Sequence, residues 1–371
     1  MAPHTPADIG STAPPVRAAV VGTGNIARFH AQALRSMPEQ AEIVAAVDVD
    51  GENLARFGDD HGVHDHYSDI GEMLRRAEPD LVHVCTPPGL HHEQVLACLK
   101  AGSSVLVEKP PALSLAEFEE MAAAEGEGGP WVATLFQHRF GSGARRLRAL
   151  IDSGELGRPL VAVCHTSWYR EQSYFDAPWR GRWETEGGGP TMGHGIHQMD
   201  LLTALLGEWV EVSATAHQQA RDVETEDVSL AHVVFADGAV ASIVNSLVSP
   251  REESYIRIDF EHATVELTHI YGYGDDDWRI TPAPGFEEKV TSAWKNGESG
   301  VNSGHAAQLT HVVRALREKE APPVTSTESL RTLRLVAGVY ASAFQRRPVG
   351  PADLVPGSPF HDRMNGDGPR W

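Results

Sequence analysis

The stretch VRAAVVGTGNIARFHAQALRSM, residues 16 to 37, constrains the fold of this chain more than any other. A short apolar run stops at glycine and passes at once into helical periodicity, which reads as strand, turn and helix. The turn carries Gly22, Gly24 and Ala27 in G-x-G-x-x-A spacing, with Asn25 and Ile26 between them. In that spacing the first glycine permits a tight turn and the second lets backbone approach a pyrophosphate. The small Ala27 lets helix and strand pack closely, and the helix N-terminus faces the phosphates. The next strand, EIVAAVD, ends in Asp48, about 20 residues on, where an acid can accept hydrogen bonds from an adenosine ribose.

The alternation continues through NLARFGDDHG, DIGEMLRR, DLVHVCTPP, HEQVLACLKAG and SSVLVEKP. Strands separated by helices predict a parallel, doubly wound sheet with its ligand at the carboxyl ends of the strands. Those ends hold Thr86, Pro87, Glu108, Lys109 and Pro110. A lysine directly after a buried strand, beside a glutamate, is placed for chemistry in the cofactor crevice. His61, His64, Asp65 and His66 spell HGVHDH, but they fall between a helix and a short strand, away from the strand ends, and are read as a surface loop rather than a metal site.

After about Arg139 the pattern changes to runs rich in Val, Ile and Thr, with Asp237-Gly238 as a tight hairpin turn. This predicts a second domain with a large, mainly antiparallel open sheet, one face on helices and the other meeting solvent or another subunit. Two helices follow, HAAQLTHVVRALRE and one after Thr325, where TSTE reads as a capping box; the last can pack back on the first domain. The expected layout is a disordered tail at 1–15, a dinucleotide domain at 16–138, a substrate and oligomerisation domain at 139–348, and a loose tail rich in Pro, Gly and Asp at 349–371.

A formal net charge of −20 disfavours nucleic acid and anionic membranes as partners and leaves a small molecule as the expected ligand. Three cysteines without close spacing predict a reduced, cytoplasmic protein. No signal peptide or membrane span is read from the sequence.

Residues 187 to 200, GGGPTMGHGIHQMD, place His194, His197 and Asp200 three apart, so all could look into one cavity. Acid/base work, a zinc site as in zinc alcohol dehydrogenases, and plain helix packing are all open on spacing alone. Just before it, WYREQSYFDAPWRGRWETEGGG offers Trp168, Tyr169, Trp179 and Trp183 as apolar faces for sugar C–H groups. Arg170, Arg180 and Arg182 offer donors to hydroxyls or a carboxylate.

GTGNIA, Asp48, TPPGLH at 86 to 91, AGSSVLVEKP, QHRF at 137 to 140, and GGG followed by GIHQMDLLTALLG together resemble the glucose-fructose oxidoreductase, inositol dehydrogenase and MocA family. The resemblance runs from about Val16 to Arg347. It implies a Rossmann domain followed by an α/β domain whose open sheet commonly mediates dimers or tetramers. It also implies hydride transfer between NAD or NADP and a carbinol carbon of a sugar or cyclitol. By the resemblance, Lys109 is the active-site lysine, Glu108 and Pro110 frame the nicotinamide, and Thr86, Pro87 and His91 line the cofactor groove. His197 matches the catalytic histidine, and Asp200 is a helix residue placed to orient it. Arg139, Trp179, Arg180, His194 and His197 are expected around the substrate, no metal is expected, and NAD is expected in preference to NADP. One departure stands out: many members have aspartate four residues before the histidine, where this chain has Gly193. A relay through His194 is one reading of that loss. A non-catalytic sensor of the same fold, like the yeast galactose repressor, is the other.

Overall fold

Six apolar runs of the first half form one parallel sheet in a computed structural model that describes residues 14–369. They are β1 (Val16–Val21), β2 (Ala41–Val47), β3 (His66–Tyr67), β4 (Leu81–Val84), β5 (Ser104–Val107) and β6 (Val132–Thr134), in spatial order β3-β2-β1-β4-β5-β6. All neighbouring pairs are parallel. Every residue of β4 and β5 is buried, as expected of strands covered on both faces. The chain reverses its winding between β1 and β4, which opens a crevice at their carboxyl ends. Most of the tail expected at 1–15 lies outside the described residues.

The second sheet has seven strands: β7 (Pro159–Tyr169), β8 (Trp209–His217), β9 (Val228–Phe235), β10 (Val240–Ser246), β11 (Val248–Phe260), β12 (Ala263–His269) and β13 (Trp278–Pro282). Their order is β13-β12-β11-β7-β10-β9-β8, antiparallel throughout except for the central β7–β10 pair, which is parallel. Asp237 and Gly238 turn the β9–β10 hairpin: Gly238 takes φ +91°, and the Asp237 carboxylate accepts from Ala239 N at 3.1 Å. The inner face is covered by the helix Ile196–Leu206, which packs on β7 and β11 and is buried along nearly its whole length, and by the helix Ser326–Gln345 across β8. On the outer face Val161, Leu230 and Val240 stand 41%, 45% and 46% exposed, an apolar patch left in solvent.

The last two helices tie the domains together. The helix His305–Glu318 sends Leu309, Val312 and Val313 into a core shared with Leu34, Leu81 and Leu106 of the first domain, so that domain is completed by a segment far along the chain. The capping box holds: Thr325 accepts from Glu328 N while the Glu328 carboxylate accepts from Thr325 N at 3.0 Å. The final helix reaches the first domain as well, through Arg334 and Glu119 at 2.9 Å. The loose end expected at 349–371 is corrected by the structure for its described part. Val349 bridges Val212, and Leu354, Phe360 and Met364 are buried in the main core. Three isolated apolar side chains anchor a segment whose Pro and Gly content alone predicts disorder.

Candidate active site

At the glycine turn, Gly22 takes φ +83°, and a Cβ there would lie 2.9 Å from the Cys85 carbonyl carbon and the Thr86 nitrogen, so no side chain fits. Gly24 is the opposite: it is exposed, and nothing lies within 4 Å of where its Cβ would point. The helix Ala27–Arg35 begins without a side-chain cap; Phe29 N bonds the Ile26 carbonyl at 3.0 Å, which leaves the N–H groups of Ala27 and Arg28 for an anion. One Asp48 carboxylate oxygen accepts from Thr23 N and Oγ1, both at 2.7 Å, and the other accepts from Asp50 N at 2.9 Å. An open glycine, free helical N–H groups and a carboxylate at the end of β2 are what a dinucleotide needs, and the residues fit one. Thr23 escapes a reading of the motif, because its position in G-x-G is nominally unconstrained.

Across the crevice, Thr86 and Pro87 follow β4 and are half-buried, with Thr86 Oγ1 donating to Gln94 at 2.7 Å. His91 is fully buried, and its two ring nitrogens face the carbonyl oxygens of Pro110 at 2.9 Å and Thr86 at 2.8 Å. It therefore ties the two loops of the groove together rather than presenting a free nitrogen. Glu108 lies below, with Oε1 2.9 Å from His30 Nε2 and 3.5 Å from His305 Nε2; His30 Nδ1 in turn meets His83 Nδ1 at 2.8 Å. Burial opposes the Glu108 charge, but these imidazoles outweigh it and hold the carboxyl well below its usual range.

Lys109 projects from this loop toward the second domain, where Nζ donates to the Gly193 carbonyl at 2.9 Å. Burial lowers its pKa, with Glu108 opposing. Gly193 carries no acid, but a neighbour does. A Cβ at residue 193 would find Glu186 Oε1 at 3.7 Å and nothing else within 4 Å. Glu186 is buried, accepts from Gly181 N at 2.6 Å, and has its pKa raised by burial. Nothing in the sequence pattern singles it out, since it sits in a short helix seven positions earlier.

The glycine triplet before the histidines admits a second buried acid. A Cβ on Gly189 would stand 1.8 Å from the Glu226 carbonyl oxygen. The Glu226 carboxylate accepts from Gly189 N, Thr191 N and Tyr340 OH at 2.9 to 3.1 Å, and burial pushes its pKa up to about 7. This packing fixes the start of the segment that delivers His194 and His197. Nδ1 of each is buried without a hydrogen-bond partner. Burial, and after it the Lys109 charge, hold both imidazoles well below their ordinary pKa, so both are neutral at pH 7. His197 meets the His138 ring edge-on at 5.2 Å, whereas His194 leans on Trp168 at 5.1 Å, with Nε2 3.4 Å from Tyr174 OH.

Other expected residues go elsewhere. Arg139 forms a bidentate pair with Asp200 at 2.7 and 2.8 Å and a further bond to Glu328 at 2.7 Å, which commits it to the scaffold rather than to a ligand. Asp200 is thereby drawn to Arg139 and to Thr332 at 3.0 Å, not to His197, so His194, His197 and Asp200 do not converge as a ligand triad. Trp183 packs on Tyr340 at 5.1 Å, Tyr169 is exposed beside Arg221, and Arg182 is exposed. Trp168, Trp179, Arg170 and Arg180 do stay together, joined by Tyr174. In HGVHDH, His66 pairs beside β2 and turns its Nε2 to the Val63 carbonyl at 3.0 Å.

The family model described as oxidoreductase family, NAD-binding Rossmann fold, matches residues 16–134, and the GFO/IDH/MocA C-terminal domain model matches residues 144–266. The chain belongs to the Gfo/Idh/MocA oxidoreductases. Within this family it is similar to the D-glucoside 3-dehydrogenase of Escherichia coli, at 28% identity over 70% of this chain and 80% of that protein. It is also similar to the myo-inositol 2-dehydrogenase of Thermotoga maritima, at 31% identity over 62% and 68%. The solved WlbA dehydrogenase of Bordetella pertussis, in complex with NADH and UDP-GlcNAcA, superposes with a TM-score of 0.81 at 27% identity, covering 91% of this chain and 98% of that one. The Gfo/Idh/MocA assignment accounts for both sheets. Among the described residues no helix is long and apolar enough to cross a membrane.

Proposed function

We propose that this protein transfers hydride between NAD and a carbinol or carbonyl carbon of a sugar, sugar derivative or cyclitol, with Lys109 holding the reacting oxygen and His197 serving as acid/base. The observation that carries the reading is the reach of Lys109 from the dinucleotide domain to the Gly193 carbonyl, in the segment that bears His197. When bound, the nicotinamide supplies the hydride acceptor or donor. Lys109 has donors left after its bond to Gly193, and its ammonium stabilises negative charge on the substrate oxygen as the hydroxyl proton departs. His197, neutral at pH 7, accepts that proton; because burial disfavours its charged form, it returns the proton readily in the reductive direction. Glu186 brings a carboxylate to the space beside Gly193, which supports a relay that uses this acid in place of the family's aspartate.

Preference for NAD rests on Asp48, whose carboxylate repels a 2′-phosphate, and on Val49 and Asp50, which supply no cation to neutralise one. Asp50 caps the next helix, accepting from Glu52 N and Asn53 N, and adds a second negative charge there. A panel of sugars, sugar acids and inositols, read by nicotinamide absorbance, is expected to reduce NAD and to leave NADP largely unused. Turnover with NADP alone contradicts the cofactor assignment, and dinucleotide binding without any turnover contradicts the enzyme.

The exposed Val161, Leu230 and Val240 make the outer face of the second sheet the surface for a second copy. Sedimentation at micromolar concentration is expected to show a dimer or tetramer, and a monomer of the chain's 40.2 kDa speaks against it. A cytoplasmic setting is supported by Cys85, Cys98 and Cys164, all free thiols and all buried.

A further inference from the structure

Around the proposed reaction centre cations and carboxylates stand face to face: Arg180 meets Glu186, Arg170 meets Glu252, and Lys109 follows Glu108. In a chain of net charge −20, three cations gather at one cleft: Lys109, Arg170 and Arg180. Glu186 links Arg180 to Lys109: its Oε1 lies 3.2 Å from Arg180 Nη1 and 3.7 Å from where a Cβ on Gly193 would point, and the Gly193 carbonyl accepts from Lys109 Nζ at 2.9 Å. The guanidiniums of Arg170 and Arg180 each lie against two aromatic rings. Arg180 lies 4.0 Å from the Tyr174 ring centroid and 4.2 Å from that of Trp179, and Arg170 lies 4.9 Å from Trp168 and 5.4 Å from Tyr174. Arg180 uses only Nη1 on protein, for Tyr174 OH and for Glu186 at 3.2 Å; its Nε and Nη2 make no hydrogen bond among the described residues. Arg170 is paired with Glu252 at 3.0 Å.

A neutral sugar needs donors and acceptors in balance, and the ring stacking of two guanidiniums is an expensive way to supply donors alone. A carboxylate needs a planar fork of two N–H groups, which the unengaged Nε and Nη2 edge of Arg180 provides, pre-oriented by its rings. The acid already present does not occupy this fork, because Glu186 meets Arg180 through Nη1 alone, at 3.2 Å. We propose that the substrate is a sugar acid whose carboxylate seats on the Arg180 fork with Arg170 beside it, while its carbinol lies at Lys109 and His197. The proposal rests on the dehydrogenase reading above and names the substrate class for that same site.

The test compares kcat/KM with NAD for matched pairs, each a neutral hexose and its uronic or aldonic acid, with the hexose 6-phosphates as a third arm. The acid of at least one pair is expected to exceed its neutral partner by on the order of 10- to 100-fold, mainly through KM. Arg180→Gln is expected to raise KM for the acid by a similar factor, and Arg180→Lys, which lacks the fork, to restore little of it. Retained NADH fluorescence enhancement shows that these variants are folded. Neutral sugars used as well as their acids, or phosphates used better than carboxylates, overturn the proposal and leave the dehydrogenase reading standing. If no member of any pair is turned over although NADH binds, the dehydrogenase reading itself falls, and this proposal with it.

Discussion

Lys109→Ala is expected to lose about a hundredfold or more in turnover while keeping most of its affinity for the dinucleotide. The proposed contacts to pyrophosphate and ribose belong to the glycine turn and Asp48, whereas the Lys109 ammonium bonds to the Gly193 carbonyl. What the variant loses is a charge-assisted contact to an oxygen that becomes negative only as the proton leaves. A loss of about 3 kcal/mol in the barrier corresponds to that factor. Fluorescence titration with NADH and steady-state turnover on one confirmed substrate separate the two effects. Near-normal turnover makes Lys109 a structural tie to Gly193 and removes it from the chemistry.

His197→Ala is expected to fall by about two to four orders of magnitude at every pH, since the variant lacks the imidazole assigned as base. With His197 as the base, oxidation in the wild type requires its neutral imidazole. Burial and Lys109 lower its pKa, so the neutral form persists as pH drops through the ordinary histidine range, and the acid limb of oxidation lies below about 6.5. His194→Ala is expected to lose little by comparison, because His194 faces Trp168 and Tyr174 rather than His138 and His197. A kcat profile against pH for the three proteins checks both statements, and unimpaired turnover by His197→Ala refutes the base assignment.

The residues of this site differ in how visible they are along the chain. The glycine turn, Asp48, Glu108 and Lys109 are legible because a Rossmann unit is built from local pieces: strand, turn and helix follow one another within a few residues. Arg139 is not, because its partners Asp200 and Glu328 lie 61 and 189 residues further on, and only folding shows that its charge is already matched. Glu186 is hidden for a related reason. It reaches the space beside Gly193 across a tight glycine turn, and no spacing rule relates the two positions. Similarly, the central parallel pairing of β7 with β10 joins segments about 80 residues apart, whereas the β9–β10 hairpin is announced by Asp237-Gly238. The buried Leu354, Phe360 and Met364 stand singly among prolines and glycines and set up no periodicity to read.

The central claim is that this cleft moves hydride between a sugar carbon and the nicotinamide. The most direct measurement uses substrates from the sugar panel carrying deuterium at the carbinol carbon, with mass analysis of the recovered nicotinamide cofactor. The account predicts deuterium on the reduced nicotinamide in the wild type, and little or none with Lys109→Ala or His197→Ala over the same interval. NAD bound by the wild type with no label transferred from any sugar, sugar acid or cyclitol would contradict it and favour a sensor of the same fold.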